Sequence, residues 1–130
     1  MNTDIEHRED IMRLVNTFYE KVKQDEVIGY IFNDIANVNW EKHLPVMYDF
    51  WENAIFYTGA YRGDPMNIHR NLHHLTALTK AHFDRWNTLF LATVDELFSG
   101  EKAELAKQRA LSISTVLQSK ILYPDPNSLL

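Results

Sequence analysis

Apolar residues recur along this chain at intervals of three and four, the period of amphipathic helices, and no stretch alternates for long in the manner of a strand. Thr3-Asp4-Ile5-Glu6 resembles a capping box at a helix start. Beyond it, Ile11, Leu14, Val15, Phe18 and Val22 share one face, with Tyr19 at its edge. The pattern breaks between Gln24 and Gly29, and a short helix or turn then carries Ile31 and Phe32. Asn39 can cap a helix that begins near Trp40 and ends near Gly59. Its inward face holds His43, Met47, Phe50 and Ala54, and a second apolar edge holds Leu44, Tyr48, Trp51 and Ile55. Pro45 is acceptable early in that helix and would kink anything longer on its N-terminal side. Thr79 can cap a long helix with Phe83, Trp86, Phe90, Val94 and Leu97 on one face, and Gly100 suits its end. Ala106, Ala110, Ile113, Leu117 and Ile121 mark the last helix, which ends before Tyr123-Pro124-Asp125-Pro126. The pattern predicts an all-α chain, and two long helices at either end suggest a two-over-two helical sandwich.

Length and composition narrow the picture. A chain of 130 residues suits a single domain, residues 1–130, with a core over about 8–122 and a loose C-terminal tail. Aromatic residues make up 12%, which fits either an aromatic core or a wall around a flat ligand. The net charge of -5 comes without any cluster of Lys and Arg, so nucleic acid and anionic membrane are not expected partners. The absence of cysteine excludes disulfides, thiolate chemistry and Cys-zinc sites. The N-terminal residues are polar and acidic, and no apolar run approaches a membrane span, so the expectation is a cytoplasmic protein.

The candidate chemistry begins at Tyr61-Arg62-Gly63-Asp64-Pro65-Met66-Asn67-Ile68-His69. Asp64 can cap a helix, Pro65 suits its first position, and His69 then falls one turn in, beside Met66 and Ile68. An imidazole on a short helix over an apolar cavity can ligate haem iron. Tyr19, His43 and Trp86 could converge on the same cavity, although each alone is explained by packing or solvation. A reading of a different class makes a non-haem metal site of His69, His73, His74 and His82, since histidines four apart share a helix face. No carboxylate lies at a matching spacing with them. A third reading is a helical interaction module without a cofactor.

Five segments together carry a family resemblance. They are Phe18-Tyr19-Glu20-Lys21-Val22, Ile31-Phe32-Asn33, His43 followed by Phe50-Trp51, Tyr61 to His69, and His82-Phe83-Asp84-Arg85-Trp86. In order and spacing they resemble the group III truncated haemoglobins over roughly residues 8 to 120. The chain also lacks the Gly-Gly pairs of the other truncated groups. The resemblance implies a shortened globin that binds haem b, iron protoporphyrin IX. It implies His69 as the proximal iron ligand, with Tyr19, His43 and Trp86 on the distal side and Phe32 against the haem face. The remaining contacts expected for the cofactor are Met47, Phe50, Met66 and Phe90, with Tyr61, Arg62 or His73 near its propionates. His73 lies four residues from His69 and is the alternative iron ligand, which would shift the helix register by one turn.

The physics of these roles agrees. A neutral imidazole leaves the sixth iron position open for O2, NO or CO. Tyr19 and Trp86 offer donors for charge on such a ligand, and His43 could donate or swing aside. Each hydrogen bond to a charged group is worth ~1.5–3 kcal/mol, so slow ligand release is expected. Retention, sensing or redox chemistry on NO or peroxide suits that behaviour better than transport. Turnover would need an external reductase.

Overall fold

The computed structural model describes residues 2–59, 68–69, 72–73 and 76–122. Four long helices dominate: α1 (Arg8–Gln24), α2 (Trp40–Phe56), α3 (Lys80–Leu97) and α4 (Glu101–Leu122). A π-helical turn, Ile31–Ile35, follows α1. Helix α1 packs on α2, α3 packs on α4, and the two pairs meet through α1 against α3 and α2 against α4. This is the expected two-over-two sandwich, and no strand occurs among the described residues.

The faces predicted from periodicity point inward. Ile11, Leu14, Val15, Phe18 and Val22 of α1 are buried, as are Phe90 and Val94 of α3 and Ala106 and Ala110 of α4. Removing these side chains from water supplies the main driving force, of order 1.5–3 kcal/mol for each large one. The local caps follow the sequence in two places. Asn39 accepts from the Lys42 amide at the start of α2. Thr79 accepts from the His82 amide at the start of α3, while His82 Nδ1 accepts from the Thr79 amide. Helix α2 ends earlier than expected. Tyr57 takes a left-handed conformation at its C-cap, and its amide donates to the Asn53 carbonyl. Pro45 is the sixth residue of α2, so its ring removes one early hydrogen bond from that helix.

The predicted box at Thr3–Glu6 is put to another use. Helix α1 starts at Arg8, and Asp10 accepts from the Glu6 and His7 amides to close that end. Asp4 instead reaches across the molecule and accepts from the Lys102 and Ala103 amides, at 2.9 and 2.8 Å. It thereby caps α4 from outside that helix, where exposed amides and the helix dipole favour an anion. Two neighbouring contacts hold the same strap. The Ser99 amide donates to the Thr3 carbonyl, and the Asn2 side chain donates to the Asp95 and Glu96 carbonyls at the end of α3. Gly100 makes room for it. At φ +142° it adopts a conformation other residues rarely take, and a Cβ there would lie 2.5 Å from the Asp4 Cγ.

Burial pushes the Asp4 carboxyl up, but the amides of Lys102, Ala103 and Ile5 outweigh it and hold the group below its ordinary value. A depressed folded-state value means the contribution is present above the unfolded value, about 3.9, and fades as pH falls through the folded one. Asp4→Ala is therefore expected to cost about 1–2 kcal/mol at neutral pH. Urea denaturation at pH 7 and pH 3 checks this. A cost undiminished in acid would contradict the charged cap.

Candidate functional site

Between the two helix pairs lies a cavity of about 290 Å³. That places it near the lower end of small-molecule sites. Of the residues singled out in the sequence, Tyr19, Phe32, His43, Met47, Phe50, His69 and Trp86 all line it. They come from α1, the π-helical turn, α2, α3 and the helical residues Ile68-His69. Tyr61, Arg62 and Met66 lie outside the described residues, as does His74.

Phe90, also expected at the site, is not among the residues that line this cavity. It is fully buried behind Trp86, whose ring stacks on it at 5.3 Å and 4°. Trp51 stacks on Phe90 as well, at 4.5 Å. Phe18 meets Trp86 edge-on at 5.2 Å. Trp86 thus has its ring plane set by two neighbours, which gives its N–H a fixed direction. Tyr19 is also held more firmly than the sequence suggests. Its expected place at the edge of the α1 stripe is in fact 5% exposed. Burial pushes its phenol well above the ordinary tyrosine value, so the group stays an O–H donor through neutral and alkaline pH.

The two histidines face the same space with opposite support. His43 sits in the first turns of α2, against the Tyr19 ring at 5.4 Å. Its Nε2 is buried without a hydrogen-bond partner. Burial first, and then the charge of His69, hold its imidazole below the ordinary value. It is therefore neutral at pH 7, and its ring can serve as donor or acceptor to a guest in the cavity. His69 lines the cavity, whereas His73 does not. The Nδ1 of His73 is occupied instead, accepting from the Leu78 amide at 2.9 Å. Among the described residues no three His, Asp or Glu side chains gather as a metal site. His82 also lines the cavity, with its Nδ1 engaged by the start of α3 and its Nε2 3.4 Å from the Tyr30 hydroxyl.

Several lining residues were not assigned to this cavity from the sequence. His82 and Phe83 precede Trp86 by four and three positions, so helical spacing could have found them. Ser114, a buried hydroxyl on α4 that accepts from Gln118, gave no such signal because serine is usually exposed. The wall by the π-helical turn is fixed by Asp25. Its side chain is 3% exposed and takes the Arg85 guanidinium at 2.6 Å. Its other oxygen accepts from the Val27 and Ile28 amides. Burial pushes this carboxyl up, but Arg85 and the two amides hold it low.

Residues 4–120 match the family model described as bacterial-like globin. The chain belongs to the bacterial-like globins. Its relatives agree with the resemblance read from the sequence. A group 3 truncated haemoglobin of Campylobacter jejuni is 28% identical over 118 residues, covering 88% of this chain and 91% of that protein. The crystal structure of the group III truncated haemoglobin from Campylobacter jejuni superposes with a TM-score of 0.81, over 93% of this chain and 95% of that one. Membership in the globins implies a haem cofactor, and the residues of this globin fit one. The cavity walls are largely apolar rings and aliphatic chains, three imidazoles (His43, His69 and His82) line it from different elements, and one ring nitrogen, the His43 Nε2, is buried without a partner. No helix among the described residues is long and apolar enough to cross a membrane.

Proposed function

We propose that this globin binds haem b with His69 as the iron ligand and holds a diatomic ligand beside Tyr19, Trp86 and His43. The observation that carries this reading is the convergence of those four side chains on one apolar cavity. The lack of cysteine supports the b type, since no thioether attachment to the chain can form. His69 is preferred over His73 because only His69 reaches the cavity, while the Nδ1 of His73 is bound to the backbone.

Haem seated there supplies an open iron position for O2, NO or CO. The chain's own residues do the rest. His69 fixes the cofactor from one side. Phe32, Met47 and Phe50 exclude water from the space, which strengthens every polar contact inside it. Tyr19 donates its hydroxyl and Trp86 its indole N–H toward negative charge on the guest. His43 is the least constrained of the three. It sits near a helix start close to Pro45 and has a free ring nitrogen, which suits a side chain that admits the ligand. Fixed donors make release slow, and slow release suits retention, sensing or redox work on NO or peroxide supplied with electrons from an external reductant.

An absorption spectrum tests the reading directly. Purified protein reconstituted with haem is expected to give an intense Soret band that shifts on reduction and again under CO. Stoichiometric metal binding without any Soret band would point back to a non-haem site.

A further inference from the structure

Trp40 was not among the residues expected at the site, and it does not line the cavity, yet it touches three residues that do. Its ring lies 5.2 Å from Tyr19, 5.7 Å from His43 and 6.2 Å from Phe32. Tyr19 and His43 also meet each other at 5.4 Å, so the three rings close a triangle with two corners in the cavity and one behind it. Trp40 and His43 are three residues apart on α2 and therefore share a face. Trp40 is the first residue of that helix, where no preceding turn packs against its side chain. Its position is set from outside the helix. Phe32 stacks on it, at 23° between planes, and the Lys23 ammonium lies over its ring at 4.6 Å. Lys23 is in turn paired with Glu20 at 3.1 Å, and its carbonyl accepts from the Asn33 side chain.

We propose that Trp40, pinned by Lys23, is a positioning residue that holds His43 and Tyr19 in place behind the ligand cavity. The proposal rests on the globin reading above and adds a residue to it. The His43 Nε2 has no hydrogen-bond partner to hold the ring, so ring contacts hold it. Two of them are Tyr19 and Trp40. Removing Trp40 leaves one of the pair and opens a void into which His43 can turn. Tyr19 loses a supporting ring in the same step. A ring contact of this kind corresponds to about two- to tenfold in an equilibrium between held and displaced positions. Lys23 adds a smaller effect through its charge over the indole.

The test uses the haem-loaded protein with CO as probe, reading the infrared C–O stretch and the CO association rate after flash photolysis. Trp40→Leu is expected to split or broaden the C–O band and to speed association by about two- to tenfold. Trp40→Phe should fall between that variant and the wild type. Lys23→Met, which keeps the aliphatic stem, should shift the band in the same direction by less, and Lys23→Arg should restore it. A Trp40→Leu protein that takes up haem yet keeps the wild-type band and rate overturns the proposal. If Trp40→Leu does not fold, Lys23→Met decides, and an unchanged band and rate in that variant overturn it equally. A wild-type chain that takes up no haem overturns the globin reading itself, and the role of Trp40 falls with it.

Discussion

His69→Ala is expected to lose most of its haem during purification and to regain a ligand-binding haem spectrum only when imidazole is supplied. The reason is geometric. His69 is the imidazole that enters the cavity from the segment between α2 and α3, and no other histidine of that segment among the described residues lines it. The remaining contacts to the cofactor are largely apolar and carry no bond to iron. His73→Ala is the contrasting variant. It should keep the spectrum and lose about 1 kcal/mol of stability, because it gives up the bond to the Leu78 amide. Pyridine haemochrome quantitation of both variants separates the outcomes. Full haem occupancy in His69→Ala, with loss in His73→Ala, would reverse the assignment.

Tyr19→Phe should release O2 at least about tenfold faster, the effect of losing one hydrogen bond to a charged acceptor. Three features favour Tyr19 as a strong donor. Its ring is packed against Phe18, Trp40 and His43. Its hydroxyl is kept protonated by burial. It projects from the middle of α1, where the backbone is fixed by helical hydrogen bonds on both sides. Trp86→Phe should act in the same direction, since its ring is clamped by Phe90 and Phe18. The double variant should fall short of the product of the two effects, because both donors serve one guest. His43→Ala should change association more than release. Stopped-flow dissociation is the measurement. If His43→Ala accelerates release most and Tyr19→Phe leaves it unaltered, the histidine is the principal donor.

Helical periodicity made most of the architecture legible. The faces of α1 and α3 could be read because large apolar side chains repeat there without interruption. The caps at Asn39 and Thr79 could be read because a short polar side chain before an apolar run has few other uses. Asp4 could not. Its sequence neighbours suggest a local box, and its real partners lie almost a hundred residues away. The same limit governs the site. Tyr19 and His43 were found through their place in a family pattern, while their mutual contact depends on how α1 crosses α2. Trp40 was missed because an indole at a helix start carries no chemical signature. What marks it is the company of three rings from three elements, and periodicity does not report contacts between elements. Phe90 lies on the expected face of α3, one layer behind Trp86.

The docking of Asp4 on α4 also bears on how the chain reaches its native state. The contact joins residues 4 and 103, a separation of 99 in a chain of 130 residues, so it closes a long loop. Closing so long a loop early is entropically unfavourable, and local helix pairs can form without it. On a ribosome Asp4 has no partner until the start of the last helix has emerged. Its stabilisation therefore belongs to the final step of assembly, and a contact made after the folding barrier slows unfolding without hastening folding. The loss in Asp4→Ala should accordingly appear as a faster unfolding limb with the refolding limb unmoved. An extension fused ahead of Asn2 would burden the same late-made latch.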